Sequence, residues 1–189
     1  MDERKWIERI LAGDTQSFSC LVAKYEKMAY TIALRILENR EEAEEAVQDA
    51  FVKMYRALSD FHFDSKFSTW FYRIVYRTAL TALRQQRMFV SYEEAGPVDL
   101  SNDEVESATA LLEREDRKEM IARTLKKLPA DEALLLTLYY LEECSVEEIC
   151  QITELSASNV KVKLFRGRKR FYEAVSYTHL RAHETRHDL

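Results

Sequence analysis

Two stretches of the sequence concentrate positive charge of the kind that binds phosphates. Residues 161–170 contain six Lys and Arg residues and no acid, and residues 65–87 contain five and no acid. Ammonium and guanidinium groups bind nucleic-acid phosphates and release condensed counterions as they do so. Either stretch alone could be a solvated helix face. Two such stretches in a chain of formal net charge −5 indicate local positive surfaces rather than a generally basic protein.

An acidic segment separates the two basic stretches. Residues 88–112 carry six acidic residues and no basic one, together with one Gly and one Pro. A polyanion would repel this segment while attracting the basic stretches on either side of it. The sequence therefore predicts two small domains, residues 1–90 and 116–175, joined by a flexible acidic linker over residues 91–115.

The residue patterns of common enzymes are missing from this sequence. It has no Gly-rich phosphate loop, no Cys-x-x-Cys pair and no nucleophile with an evident base. His179, His183 and His187 lie near the C-terminus, but their spacing is irregular and no Cys, Asp or Glu pairing completes a metal site. We expect a protein that is not an enzyme and that uses no metal or cofactor.

The spacing of the cysteines and the hydropathy of the sequence indicate the cellular compartment of the protein. The three cysteines follow no disulfide framework, and no apolar run approaches the ~20 residues that span a bilayer. A reducing environment suits unpaired cysteines. These features predict a cytoplasmic protein without stable membrane insertion.

Helices must position the charged residues, because the sequence has little material for turns. It contains three Gly and two Pro, whereas Leu, Ala, Glu, Lys and Arg dominate. Asn39 followed by Glu42 resembles a capping box at the start of a helix. A second helix is predicted from about Ser68 to Arg87, where Trp70 and other apolar residues alternate with arginines. The sequence thus predicts an all-α fold.

The second half of the chain has the layout of a helix-turn-helix domain. Ser145 and Glu148 have the spacing of a capping box at the start of a short helix, and Ser156 is suited to cap a last helix. In that last helix Val160 and Leu164 fall on an inward stripe, which leaves most of the basic residues outside it. A major groove admits one helix, so this pattern predicts a DNA-reading helix.

Together, the two halves resemble bacterial RNA polymerase sigma factors of the extracytoplasmic-function group. In the first half the resemblance rests on residues 42–51, EAEEAVQDAF, and on residues 67–74, FSTWFYRI. In the second half it rests on Leu128-Pro129, residues 145–150 and residues 160–170. It covers nearly all of residues 1–175 and implies two helical domains joined by a flexible linker, the second a helix-turn-helix.

The acidic motif of the first domain resembles the family's docking site for the β′ clamp helices of core RNA polymerase. An acidic, partly apolar helix face suits a protein partner and would repel DNA. A solvated acidic face is the alternative. The residues expected to bind the polymerase are Glu44, Glu45, Val47, Gln48, Asp49 and Phe51.

The resemblance assigns one DNA contact to each domain. For the −10 promoter element, contacts are expected from Phe61, His62, Lys66, Arg73, Tyr76, Arg77 and Arg84. For the −35 element, they are expected from Ser158, Asn159, Lys161, Val162, Lys163, Phe165, Arg166 and Lys169. Separating strands at −10 requires unstacked bases, which pockets, aromatic stacking and phosphate contacts compensate.

The sequence departs from the family at several of these positions. Arg77 stands where Asn is common and Val162 where Ser is usual. Glu154 occupies a turn position often held by Gly, so a positive φ there would be strained. Gly167 replaces a usual Ala and would lower helix propensity by roughly 1 kcal/mol.

The implied function is promoter recognition with core RNA polymerase, through the β′ clamp helices and the β flap, followed by help in melting the start region. An anti-sigma factor is the expected antagonist. One alternative is a stand-alone helix-turn-helix regulator that dimerises and binds palindromic DNA without polymerase. Another is a helical interaction module with little affinity for DNA, against which the basic last helix argues.

Residues 176–189 match neither domain in composition. Residues 175–185, VSYTHLRAHET, are similar to the translation of a common sequencing adapter. We therefore expect a non-native tail and a native sequence that is interrupted near Val175.

Overall fold

The computed structural model describes the backbone of residues 3–90 and 112–184 and the side chains of residues 3–86 and 119–176. Within these ranges every regular element is helical, which confirms the predicted all-α class. The α-helices are α1 Glu3–Leu11, α2 Thr15–Leu37, α3 Arg40–Arg56, α4 Phe67–Val90, α5 Leu112–Lys126, α6 Ala130–Tyr140, α7 Val146–Thr153 and α8 Ala157–Glu184. A 3-10 turn, Leu58–Asp60, follows α3.

Side-chain caps set the starts of several helices. Asp14 accepts a hydrogen bond from the Gln16 backbone N–H and caps α2. The Asn39 side chain accepts from the Glu42 N–H at 3.2 Å, but the Glu42 carboxylate accepts from the Gln86 side chain instead of completing the box. In α7 the capping box is complete, because Ser145 and Glu148 bond reciprocally.

The first lobe, α1 to α4, is built around α2, α3 and α4, which pack against one another. Leu21, Ile32, Met54 and Phe71 are fully buried where these helices meet. Aromatic rings also pack together in this core, where the ring centroids of Phe71 and Phe51 lie 4.8 Å apart. The aromatic residues predicted to alternate with arginines in α4 therefore serve mainly to hold the helix in place.

The second lobe, α5 to α8, is smaller. Its core is formed by α6, α7 and α8, with Leu135, Leu138, Ile149 and Val160 buried between them. The helix α8 runs to Glu184, so the segment expected to be a non-native tail begins within a helix. Residues 185–189 lie outside the described residues, as does most of the predicted linker.

The two lobes pack against each other. In this arrangement α4 contacts α7 and α2 contacts α6. The Arg35 guanidinium on α2 donates to the Leu125 carbonyl at the end of α5, at 3.3 Å. Within the described ranges, no helix is both long enough and apolar enough to span a bilayer.

Candidate nucleic-acid interface

The end of α7 and the start of α8 form the turn that sets the orientation of α8, the helix that carries the basic residues 161–170. Glu154 closes α7 in the left-handed region, with φ of 61°, which confirms the predicted strain at this position. The Ser156 hydroxyl then accepts from the Asn159 N–H at 3.3 Å and caps α8. Val160 and Leu164 are buried against the lobe, so the opposite face of α8 is turned outward.

The outward face of α8 carries seven of the eight residues predicted to contact the −35 element. These exposed residues are Ser158, Asn159, Lys161, Val162, Phe165, Arg166 and Lys169. Phe165 is 66% exposed and Val162 is 46% exposed, so both present apolar surface to the solvent on this face. We call this set the α8 face.

The eighth residue, Lys163, points elsewhere. It is half-buried and forms an ion pair with Asp131 at the start of α6. Arg170 likewise pairs with the buried Glu132, at 2.7 Å. The sequence showed a run of six bases, but it did not show that two of them, Lys163 and Arg170, pair with acids of α6.

On α3 the residues predicted to bind polymerase divide into two groups. Glu44, Glu45, Gln48 and Asp49 are exposed and form an acidic surface. Val47 and Phe51 are 6% and 8% exposed and lie in the core of the first lobe. In this structure the two side chains anchor α3 in the core, and their contact with polymerase stays a prediction.

Two exposed apolar residues of α3 were missed. Val52 and Tyr55 are each 47% exposed and lie four and seven residues after Gln48, on the same face of the helix. The Tyr55 ring is held edge-on against Phe18, 5.1 Å between centroids. The helical spacing from Gln48 was the signal that could have identified them. We call Glu44, Glu45, Gln48, Asp49, Val52 and Tyr55 the α3 face.

In the loop between α3 and α4, one residue predicted to contact −10 DNA is buried. Phe61 is 6% exposed and packs on Phe67 and Trp70, with centroids 5.4 and 5.1 Å away. In this arrangement the buried ring supports the loop, and its contact with −10 DNA stays a prediction. Exposed positions nearby are His62 and Phe63.

Phe63 is the exposed aromatic residue that the sequence did not single out. It adopts φ of 59°, a left-handed conformation that is uncommon for a bulky side chain. The Arg4 guanidinium lies 4.9 Å from its ring centroid. Together with Lys66 and Ser65, these residues line an open pocket beside α1.

The remaining residues predicted for −10 contact do not form one open surface. Arg84 is exposed and Arg73 is half-buried, both on α4. Lys66 and Arg77 instead point to the second lobe, where they pair with Glu148 and Glu154. Tyr76 is half-buried beside them, and burial, followed by the charges of Glu154 and Asp131, raises the pKa of its phenol.

The contact between the lobes shifts the pKa values of side chains that lie in it. Burial raises the pKa of Glu148, but hydrogen bonds from the Ser145 backbone and from Lys66 outweigh it and hold the pKa below its ordinary value. Burial also raises the pKa of the Tyr72 phenol, and its hydrogen bond to Glu142 adds to the effect. Tyr72 therefore stays a hydrogen-bond donor.

Comparisons with known proteins give a consistent result for both lobes. The family model of Sigma-70 region 2 matches residues 21–88, and that of Sigma-70, region 4 matches residues 118–171. The chain is 31% identical over 180 residues to the RNA polymerase sigma-H factor of Pseudomonas aeruginosa, covering 92% of this chain and 93% of that protein. It is 31% identical over 170 residues to the ECF RNA polymerase sigma-E factor of Escherichia coli, covering 86% and 88%.

Solved structures agree on the fold. The sigma factor RpoE of Bartonella quintana, determined in complex with the anti-sigma factor NepR, aligns with a TM-score of 0.68 at 17% identity, covering 85% of this chain and 98% of that one. CnrH, determined with the cytosolic domain of CnrY, aligns with a TM-score of 0.60 at 20% identity, covering 93% and 97%. With the two domain matches and the full-length relatives, these likenesses place the chain in one family: it belongs to the sigma-70 family of RNA polymerase sigma factors, in the extracytoplasmic-function group.

Proposed function

We propose that this sigma factor binds core RNA polymerase through the α3 face and reads the −35 element through the α8 face. The first lobe then engages the −10 element and assists melting. The observation that supports this division most strongly is the α8 face itself. It is an exposed basic helix surface behind a strained, capped turn, and seven of its residues point away from the lobe.

The α8 face has the composition that DNA contact requires. Its Lys and Arg side chains provide phosphate contacts, which fix the position of a helix in the groove. Asn159 and Arg166 offer the amide and the guanidinium groups that read base edges, and exposed Val162 and Phe165 offer apolar contact with thymine methyl groups. Lys163 is left out of the contact set because it is paired within the lobe.

The α3 face has the opposite composition. Three acidic side chains and Gln48 lie on the N-terminal side of the exposed pair Val52 and Tyr55. DNA would be repelled by the acids, whereas a protein surface with basic residues and an apolar patch would match both features. We assign this face to the β′ clamp helices. The expected β flap contact of the second lobe stays a prediction without assigned residues.

For the −10 element, the surface we assign combines the α3–α4 loop with the open side of α4. His62, Phe63, Arg73 and Arg84 supply stacking and phosphate contacts, and Phe61 supports the loop from below. Lys66, Tyr76 and Arg77 join this surface when the second lobe does not cover them.

Partners and location follow from this role. The RpoE structure of Bartonella quintana was determined with an anti-sigma factor bound, and we propose that such an antagonist also binds this chain. Nucleotide polymerisation belongs to the polymerase, so we assign no catalytic activity or cofactor to the sigma factor itself. We place it in the cytoplasm with the polymerase. The domain limits at residues 90, 116 and 175 and the non-native tail stay predictions.

The test is a charge reversal on the α8 face. Lys161→Glu with Arg166→Glu should weaken binding to −35 duplex DNA by at least about tenfold, since lost contacts of this kind cost about 1–3 kcal/mol each. Binding to core polymerase should stay nearly unchanged. Fluorescence anisotropy with labelled promoter DNA, and pull-down on core polymerase, measure the two.

A matched control separates local contact from net charge. Lys126→Glu with Lys127→Glu changes the charge of the same lobe by the same amount, at exposed positions outside α8. Equal losses of DNA binding in both variants would overturn the assignment of the α8 face. Circular dichroism verifies that each variant is folded.

A further inference from the structure

We propose that Asp131 and Glu132, at the start of α6, are positioning residues for −35 recognition, because they fix the orientation of α8 through ion pairs with Lys163 and Arg170. We call these two contacts the α6–α8 ion pairs. The two acids act on DNA only through the helix that they hold. This inference rests on the proposed −35 role of the α8 face.

The pair of Glu132 and Arg170 is built on a buried carboxylate. The Glu132 side chain is 7% exposed, and its Oε1 accepts from the Arg170 Nη1 at 2.7 Å. Within the described part of the chain, the other carboxylate oxygen, Oε2, is buried and has no hydrogen-bond partner. A buried carboxylate is unfavourable unless it is paired. Arg170 therefore cannot turn to a phosphate without leaving this carboxylate unpaired, so it is committed to the lobe.

Asp131 and Lys163 form the second pair, beside the first. The Lys163 ammonium donates to Asp131 Oδ2, and Oδ1 accepts from the Glu132 backbone N–H at 2.9 Å. Burial raises the pKa of Asp131, but the hydrogen bond and charge of Lys163, together with backbone hydrogen bonds, outweigh it and hold the pKa below its ordinary value. Two adjacent acids of α6 thus bind two cations of α8.

The two cations lie on one side of α8 with a glycine between them. Lys163, Gly167 and Arg170 are spaced four and three residues apart, which places them along one stripe of the helix. Gly167 is buried against α6, where a Cβ would lie 3.3 Å from the Glu132 Cβ. Phe165 of the α8 face is two residues from Gly167 and so lies on the opposite side. The ion pairs therefore flank a close approach of the two helices and oppose rotation of α8 about its axis.

Rotation of α8 would disturb contacts with bases more than contacts with phosphates. A helix with its side chains is about 10–12 Å wide, so a rotation of about 20° moves the ends of its side chains by about 2 Å. Hydrogen bonds to base edges tolerate roughly half an ångström, from about 2.7 to 3.2 Å. Flexible basic side chains can follow a phosphate over the larger distance. Loss of the ion pairs should therefore reduce selection between sequences rather than affinity for DNA in general.

Net charge alone predicts the opposite result. Asp131→Asn with Glu132→Gln makes the second lobe more positive by two charges and releases two basic side chains, which would strengthen DNA binding. The positioning role predicts weaker selection instead. The matched control is Glu143→Gln with Glu147→Gln, which changes the net charge of the same lobe equally at exposed positions outside α6 and α8.

The test uses the full chain bound to core RNA polymerase. Fluorescence anisotropy gives dissociation constants for a promoter duplex that the wild-type holoenzyme selects from a random pool, and for the same duplex with a scrambled −35 element. Their ratio is the selectivity. Partial unfolding or poor assembly lowers the active fraction for both duplexes equally, so it leaves the ratio unchanged.

We expect the Asp131→Asn, Glu132→Gln variant to lose about tenfold in selectivity, while its affinity for the scrambled duplex stays equal or rises. The control should keep the wild-type ratio. An unchanged ratio in the variant, or an equal loss in the control, would overturn the positioning role.

A double-mutant cycle tests the pair from the side of α8. Glu132→Gln and Arg170→Gln should each lower selectivity by a similar factor, and the combination should lower it no further, since both changes remove the same contact. Additive losses would show that Arg170 contacts DNA itself and would overturn its commitment to the lobe.

Failure of the proposed function would give a different result. If the wild-type holoenzyme enriched no −35 sequence from the pool, reading of that element by the α8 face would be contradicted. A wild-type protein that selects a sequence, combined with an unchanged ratio in the variant, would overturn the positioning role alone.

Discussion

At the scale of single residues, Gly167 shows how a position in α8 serves packing. A Cβ built at Gly167 would lie 3.2 Å from Leu136 Cδ1 and 3.3 Å from Glu132 Cβ on α6. These approaches are tighter than ordinary van der Waals contact. The glycine therefore lets α8 lie close to α6, a benefit that the helix propensity of glycine alone does not reveal.

Gly167→Leu should lower the free energy of unfolding by about 1–3 kcal/mol, as overpacking of a close helix contact does. Leu favours helices over Gly, so a loss of stability would report packing alone. Thermal and urea unfolding measure the effect. The control Tyr172→Leu alters an exposed position of the same helix and should change stability by less than about 0.5 kcal/mol. A stabilised Gly167→Leu protein would contradict the close packing.

Cys144 should be inert toward alkylating reagents. Its thiol is buried, and burial, together with nearby Glu148 and Glu142, raises its pKa to about 11. The thiolate is the reactive form, so very little of it exists near neutral pH. Mass spectrometry after iodoacetamide treatment should show the exposed Cys20 modified long before Cys144. Equal rates for the two residues in folded protein would contradict this arrangement.

At the scale of elements, α7 depends on the ionised form of Glu148. The pKa of Glu148 is held below its ordinary value of 4.5, so the charged form is favoured in the folded state. A lowered folded pKa gives stability that is present above the ordinary value and is lost as the pH falls through the folded one. The contribution is therefore complete at neutral pH and disappears in acid.

Glu148→Gln should destabilise the protein at about pH 7, and the difference from wild type should shrink as the pH falls below 4.5, through the lowered pKa of Glu148 in the folded state. Urea unfolding across this range measures the difference. Glu147→Gln, at the neighbouring exposed position, is the matched control for the loss of one negative charge. A difference that grows toward acid pH would contradict the pairing of Glu148 with Lys66.

The helices themselves were largely predictable. Ser145 and Glu148 identified the start of α7, and the apolar stripe through Val160 and Leu164 identified the buried side of α8, because both signals are local. The surfaces were less predictable. Val47 and Phe51 lie in a motif, and Phe61 in a loop, for which contact was predicted, but burial depends on neighbouring helices that a local sequence pattern does not describe. Lys163 was assigned to DNA for the same reason.

At the scale of the whole molecule, the contact between lobes could not be predicted from the sequence. Lys66 and Glu148 are far apart in the chain, and no periodic pattern relates them. The two basic stretches and the acidic segment between them predicted two separate positive surfaces and an acidic linker that DNA repels. They did not predict that acids of the second lobe cover part of the first surface. The packed arrangement of the lobes therefore differs from the arrangement that the sequence predicted for promoter binding, in which both positive surfaces are accessible.

The most direct measurement for this account is run-off transcription from a pool of random promoters, with purified core RNA polymerase in the presence and absence of this protein. A sigma factor that uses the α8 face and the first lobe should produce discrete start sites that share two spaced upstream elements. The Lys161→Glu, Arg166→Glu variant should lose selection for the upstream one. No protein-dependent transcripts from a folded sample with active core polymerase would contradict the account.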